Sequence, residues 1–199
     1  MTAEHSARPA PFPPERPGHM WAPDALAERG VSLRWLRDAD LAWLRALYAT
    51  TRAEEMAPVP WPDAAKRAFL DQQFDLQHRH YLAHYEDADF LAVEQDGHGP
   101  VGRCYLRRSA PDHLLIDISL LPALRGSGIG GALIADGQRE AAALGRGMRL
   151  HVLEANLRAR RLYERLGFVV DGGSGGYVAM RWSPDCELKL VCIPANRDV

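Results

Sequence analysis

Leu114-Leu-Ile-Asp-Ile-Ser-Leu-Leu-Pro-Ala-Leu-Arg125-Gly-Ser-Gly-Ile-Gly-Gly131 passes from an apolar, β-branched run into a glycine cluster. The run ends at Pro122, and residues 132–145 then repeat their apolar side chains at helical spacing. The order is strand, glycine loop, helix. Such a loop presents backbone N–H groups at a helix N-terminus, where the helix dipole adds positive potential. Glycines allow φ > 0 and close approach of a ligand to the backbone. The chemistry suits a pyrophosphate.

Working outward, Val31 to Leu36 alternates as a strand, and Asp38 is placed to cap a helix ending at Thr51. A turn rich in Pro58, Pro60 and Pro62 leads to a second helix over Asp63 to Tyr85. Phe90 to Glu94 and Val101 to Leu106 read as a hairpin around Asp96-Gly97-His98-Gly99. The fourth strand covers His113 to Leu121, and the fifth covers Arg149 to Leu153. Asn156 caps a short helix that stops at Leu166-Gly167. Phe168 to Val170 and Tyr177 to Trp182 are the last two strands. Residues 1–30, rich in proline and poor in aliphatics, are expected to form a disordered or loosely packed arm. Residues 31–182 form the domain, and residues 183–199 form a tail. Its stretch from Cys186 to Ile193 alternates like an extra edge strand, within the chain or across a homodimer.

At 199 residues the chain is long enough for one domain with a substantial core. A net charge of −2 argues against a broad nucleic-acid-binding surface. The 3 cysteines, Cys104, Cys186 and Cys192, form no C-x-x-C pair. Reduced thiols in a cytoplasmic protein account for them most simply. No stretch has the length and apolarity of a membrane helix, and no signal peptide is visible, so no membrane partner is expected. His78, His80 and His84 share a helix, but no neighbouring carboxylate or cysteine completes a ligand set, so no metal is expected.

Three readings of the glycine loop compete with a bare turn. Gly126-x-Gly128-x-x-Gly131 matches the dinucleotide fingerprint, with Glu154 near the end of the next strand. That fingerprint belongs after the first strand of a parallel series, and here it follows a meander. A nucleotide P-loop is excluded because Ala132 follows Gly131 where Lys is required. The third reading is a resemblance. Arg125-x-x-Gly128-x-Gly130 resembles the acetyl-CoA-binding motif of the GNAT superfamily of N-acetyltransferases. Asn156-x-x-Ala159-x-x-Leu162-Tyr163-Glu164-x-Leu166-Gly167-Phe168 is similar to a second signature of that family, at the expected distance behind the first.

The resemblance implies an α/β fold of α+β type, with a mixed, mostly antiparallel sheet flanked by helices on both faces and splayed between the fourth and fifth strands. It implies acetyl transfer from acetyl-CoA to a primary amine of a small molecule or a protein, with no metal. Arg125, Gly126, Ser127, Gly128, Ile129, Gly130 and Gly131 would hold the pyrophosphate, and Leu120 and Leu121 the pantetheine amides. Asn156 would touch pantetheine besides capping its helix. Tyr163 would be the general acid for the leaving thiolate. The base is open between His151 and Asp117. His151 stands where ribosomal-protein alanine acetyltransferases carry Glu, while Asp117 is a carboxylate in an apolar strand that demands a use or a partner. Glu54, Glu55 and Trp61 fall where the family lines its acceptor pocket. A CoA-binding sensor module and a dinucleotide-dependent oxidoreductase are the rival functions.

Overall fold

A computed structural model of the chain describes residues 10–16 and 24–184. Seven strands form one sheet: β1 (Val31–Trp35), β2 (Ala88–Gln95), β3 (Gly99–Arg107), β4 (Asp112–Leu120), β5 (Gly147–Leu153), β6 (Val169–Ser174) and β7 (Tyr177–Trp182). Their order is β1-β2-β3-β4-β5-β7-β6, and every pairing is antiparallel except that of β4 with β5. The helices are α1 (Asp24–Ala27), α2 (Leu41–Thr51), α3 (Ala53–Met56), α4 (Asp63–His84), α5 (Ile129–Ala143) and α6 (Leu157–Arg165).

Alternation along the strands gives the sheet two apolar faces. On one face Leu106, Leu115, Leu150 and Met180 bury against Ile129, Leu133 and Ile134 of α5 and against Leu26 of α1. On the other, Phe90, Ala92 and Tyr105 bury against Leu44 and Tyr48 of α2 and Leu70 and Phe74 of α4. Arg45 of α2 bonds Asp75 of α4 through both Nε and Nη2, holding the two helices in register.

The β4–β5 ladder is short. It runs from Asp112↔Gly147 to Leu115↔Leu150 and stops, while both strands continue. A bulge sits at that point: Tyr105 opposes Asp117 and Leu106 opposes Leu115, leaving Ile116 as the extra residue. A bulge bends its strand and ends regular pairing. The expected splay between the fourth and fifth strands is therefore present, with a cause in β4 itself.

The expected arm reads differently in its described parts. Leu26 is wholly buried in the α5-side core. The Phe12 ring packs edge-on to His78 at 4.8 Å and lies 5.8 Å from Phe90. The Phe12 N–H donates to Asp38 Oδ1, so that carboxylate faces the arm, and a 3-10 turn over Asp38–Asp40 leads into α2. Arg16 Nη1 donates to Asp87 O at 2.8 Å. Scattered Phe12, Arg16 and Leu26 are enough to anchor these short segments, although no periodicity announces them. The alternating tail segment, residues 186–193, lies outside the described residues.

Candidate active site

The glycine loop begins where β4 ends. A 3-10 turn over Pro122–Leu124 leads to Arg125, and α5 begins at Ile129, earlier than the apolar periodicity implies. Gly126 and Gly128 both have φ of 89°, the left-handed region that L side chains avoid. Gly128 is the N-cap of α5, and the first N–H to bond back into the helix is that of Ala132, to Gly128 O. The N–H groups of Ile129, Gly130 and Gly131 therefore have no carbonyl within the helix. The Ser127 N–H turns back to Leu124 O at 3.3 Å, and its hydroxyl also donates to Leu124 O. The loop thus presents the backbone donors of Ile129, Gly130 and Gly131 beside two corners that carry no β-carbon, which suits an oxyanion group.

Arg125 is directed elsewhere. Its Nε donates to Leu120 O at 3.0 Å, and its Nη2 donates to Thr50 O and Oγ1 at 3.2 and 3.0 Å. The side chain fastens the loop to the end of β4 and to the end of α2. Leu121 also differs from expectation. Its N–H donates to Val101 O, toward β3, so it is not available at the splay. Successive residues of a strand point their backbone groups to alternate edges, so Leu120 and Ile118 are the residues that face the opening.

Tyr163 lies on α6, buried, with its ring edge-on to Phe168 at 5.9 Å. Burial first, then the nearby Asp117 carboxylate and Cys104, raise the phenol well above its ordinary range, so it carries its proton at neutral pH. Cys104 is a free, buried thiol raised by the same burial, and so stays neutral.

Asp117 has the partner that its apolar setting demands. Arg103 bonds it through Nε at 3.0 Å and Nη2 at 2.8 Å, and Ser119 Oγ donates to the same carboxylate at 2.9 Å. Arg103 also donates to Gln77 of α4 and lies over the Phe74 and Tyr105 rings. Burial alone would lower the Arg103 pKa, but Asp117, together with Tyr105 and Tyr81, offsets this and holds it raised. The sequence reading missed Arg103 and Gln77. The signal was an arginine inside the apolar run Val101-Gly-Arg-Cys-Tyr-Leu106, which needs a carboxylate as surely as Asp117 needs a cation.

His151 is exposed on β5, one residue past the last β4–β5 pair, between buried Leu150 and Val152. Alternation sends it to the face opposite α5. Asn156 does what its position predicts as a cap: Oδ1 accepts from the Ala159 N–H at 3.1 Å. Glu54 and Glu55 lie on the single turn α3 and are exposed, with Glu55 bonded to Arg52 at 2.9 Å. Trp61 is 46% exposed and edge-on to Phe69. The bond from Arg125 to Thr50 places the α2–α3 corner beside the loop. No group of three or more His, Cys, Asp or Glu residues among those described is arranged to hold a metal.

A family model described as the Acetyltransferase (GNAT) family matches residues 43–168. The chain belongs to the GNAT acetyltransferase family. Membership makes it an acyl-CoA-dependent N-acyltransferase, and the match spans both the loop and the α6 signature. Solved structures share the GNAT fold. The PaiA N-acetyltransferase of Thermoplasma acidophilum, solved with coenzyme A, is 19% identical with a TM-score of 0.59, covering 77% of this chain and 98% of its own. A histone acetyltransferase HPA2-related protein of Corynebacterium glutamicum is 21% identical with a TM-score of 0.57, covering 78% and 97%. A spermidine N-acetyltransferase of Vibrio cholerae, solved with CoA and spermine, is 21% identical with a TM-score of 0.51, covering 76% and 93%. No curated protein matches the chain. Within the GNAT sheet the glycine loop follows the fourth strand of a largely antiparallel order, which removes the dinucleotide reading. No helix among the described residues is long and apolar enough to cross a membrane.

Proposed function

We propose that this chain transfers an acetyl group from acetyl-CoA to a primary amine by direct attack. The observation that carries the reading is the junction of the β4–β5 splay with the left-handed Gly126 and Gly128 loop, with the protonated Tyr163 buried nearby. Bound acetyl-CoA supplies the activated thioester. The N–H groups of Ile129, Gly130 and Gly131 hold its pyrophosphate against the bare corners at Gly126 and Gly128, and the edge of β4 at Ile118 and the Leu120 N–H holds the pantetheine amides as an added strand would. An N–H on that edge stabilises charge building on the carbonyl oxygen.

Tyr163 supplies the proton to the departing thiolate. His151 accepts the proton of the incoming ammonium. It is preferred to Asp117 because that carboxylate is already bonded by Arg103 and Ser119. An amine with a pKa of about 10.4 is mostly protonated at pH 7, so a base is needed at that end of the reaction. Glu54, Glu55 and Trp61 border the acceptor. The Vibrio cholerae relative is named for spermidine, so polyamines belong beside amino acids and peptide N-termini among the acceptors to test. A thermal-shift comparison of acetyl-CoA, CoA, NAD and NADP tests the first half of the reading. Stabilisation by the two CoA species alone is expected, and stabilisation by NAD instead would contradict it.

A further inference from the structure

The glycine loop is approached by two guanidinium groups, one from Arg29, outside both signature motifs, and one from Arg158, at an unspecified position of the second. Arg29, in the turn between α1 and β1, donates from Nη2 to Ser127 O at 2.6 Å. Its Nη1 lies 3.5 Å from where a β-carbon at Gly128 would sit. Arg158 of α6 comes in beside the other left-handed glycine, its Nη2 2.9 Å from the corresponding point at Gly126. Each corner of the loop that lacks a side chain therefore faces a guanidinium. Both side chains are exposed, and among the described residues neither pairs with a carboxylate. Cations are disfavoured at the positive end of a helix dipole, yet two are gathered around the N-cap of α5. An anion bound between them would satisfy the guanidiniums and the helix end together.

We propose that Arg29 and Arg158 receive phosphate oxygens of the CoA moiety, one from each side of the loop, and that Arg29 brings the segment before β1 into the cofactor site. This rests on the assignment of acetyl-CoA to the loop. Arg125 fastens the loop to β4 and α2, and Arg29 and Arg158 supply the charge. Arg29 lies outside the residues matched by the family model, and Arg158 lies within them.

The test is calorimetric binding of CoA to the full chain, without acceptor and without turnover. Arg29→Ala and Arg158→Ala should each weaken CoA binding by about tenfold or more, as expected for loss of a charge-assisted contact. Both variants should show a shallower dependence of affinity on salt. Arg67→Ala, which removes an equal charge from α4, should bind as the wild type does. Dephospho-CoA assigns the contact. An effect that persists with it belongs to the pyrophosphate, and one that disappears belongs to the 3′-phosphate. Wild-type affinity in folded Arg29→Ala and Arg158→Ala would overturn the proposal while leaving the loop assignment standing. A wild-type chain that binds no CoA would remove both.

Discussion

Tyr163→Phe keeps the ring that packs on Phe168 and removes only the hydroxyl. The expected result is a fall in kcat of roughly one to three decades with CoA affinity nearly unchanged, measured by steady-state kinetics and calorimetry. His151 and Asp117 separate by a different pair of readouts. His151 is exposed, so His151→Ala should leave Tm unchanged and lower kcat/KM by about a hundredfold or more. Asp117→Asn leaves Arg103 buried beside a neutral amide. Breaking a buried pair in this way costs about 3–5 kcal/mol, so Tm should fall by about 6 °C or more in a chain of this size. An unchanged kcat/KM in His151→Ala would remove the histidine as base. A thermally unchanged Asp117→Asn would show that the pair with Arg103 is not structural. Asp117 was conspicuous in the sequence because a carboxylate in an apolar strand needs a reason. Which of two reasons applied depended on Arg103, on another strand, and on a pairing register that no local pattern specifies.

The loop between β4 and α5 was legible because glycine, proline and helical periodicity are local signals. Its limits were less so. Gly130 and Gly131 lie within the first turn of α5, and only Gly126 and Gly128 adopt left-handed backbone. Gly128→Val sets a β-branched residue at φ 89°, which costs about 1–2 kcal/mol in strain and places a branched side chain beside the helix end. Loss of CoA binding with a Tm only a few degrees lower is expected. Retained binding in a folded variant would contradict the loop assignment. All seven strands and the four longer helices follow from periodicity, whereas α1 and α3 are single turns too short to show any. The cost of missing α1 is specific: Leu26 belongs to the core. Burying one leucine is worth about 1.5–3 kcal/mol, so removing residues 1–30 should lower Tm by at least about 3 °C, read by calorimetry. An unchanged Tm would return those residues to the status of a dispensable arm. β6 also runs further than its apolar residues suggest, through Gly173, where a β-carbon would lie 2.6 Å from Tyr177 O.

At the scale of the whole molecule, charge and burial make stability depend on pH. His78 and His113 are both buried, and burial is the main cause that lowers each imidazole pKa. The unfolded chain then binds more protons than the folded one once pH drops below about 6.5, so stability should decline on acidification from there. Urea unfolding at pH 7.5 and 5.5 should show a lower midpoint at the acid pH, and a smaller difference in His113→Gln. Equal midpoints would mean that neither imidazole is kept neutral by the fold. The sheet also explains why the fold could be named from two short stretches. β4, the loop and α5 build one side of the opening, and β5 with α6 builds the other, so both signatures fall on elements that border it. The proposed acceptor side draws instead on α3 and the loop before α4, whose sequences carry no comparable pattern. The proposed function requires that this opening join an acetyl-CoA site to an amine site. Thiol release from acetyl-CoA, followed continuously with a panel of polyamines, amino acids and peptides, tests it most directly. Release that depends on an amine, exceeds hydrolysis and collapses in Tyr163→Phe is the predicted result, and a chain that binds CoA yet releases no thiol with any amine in the panel would contradict it.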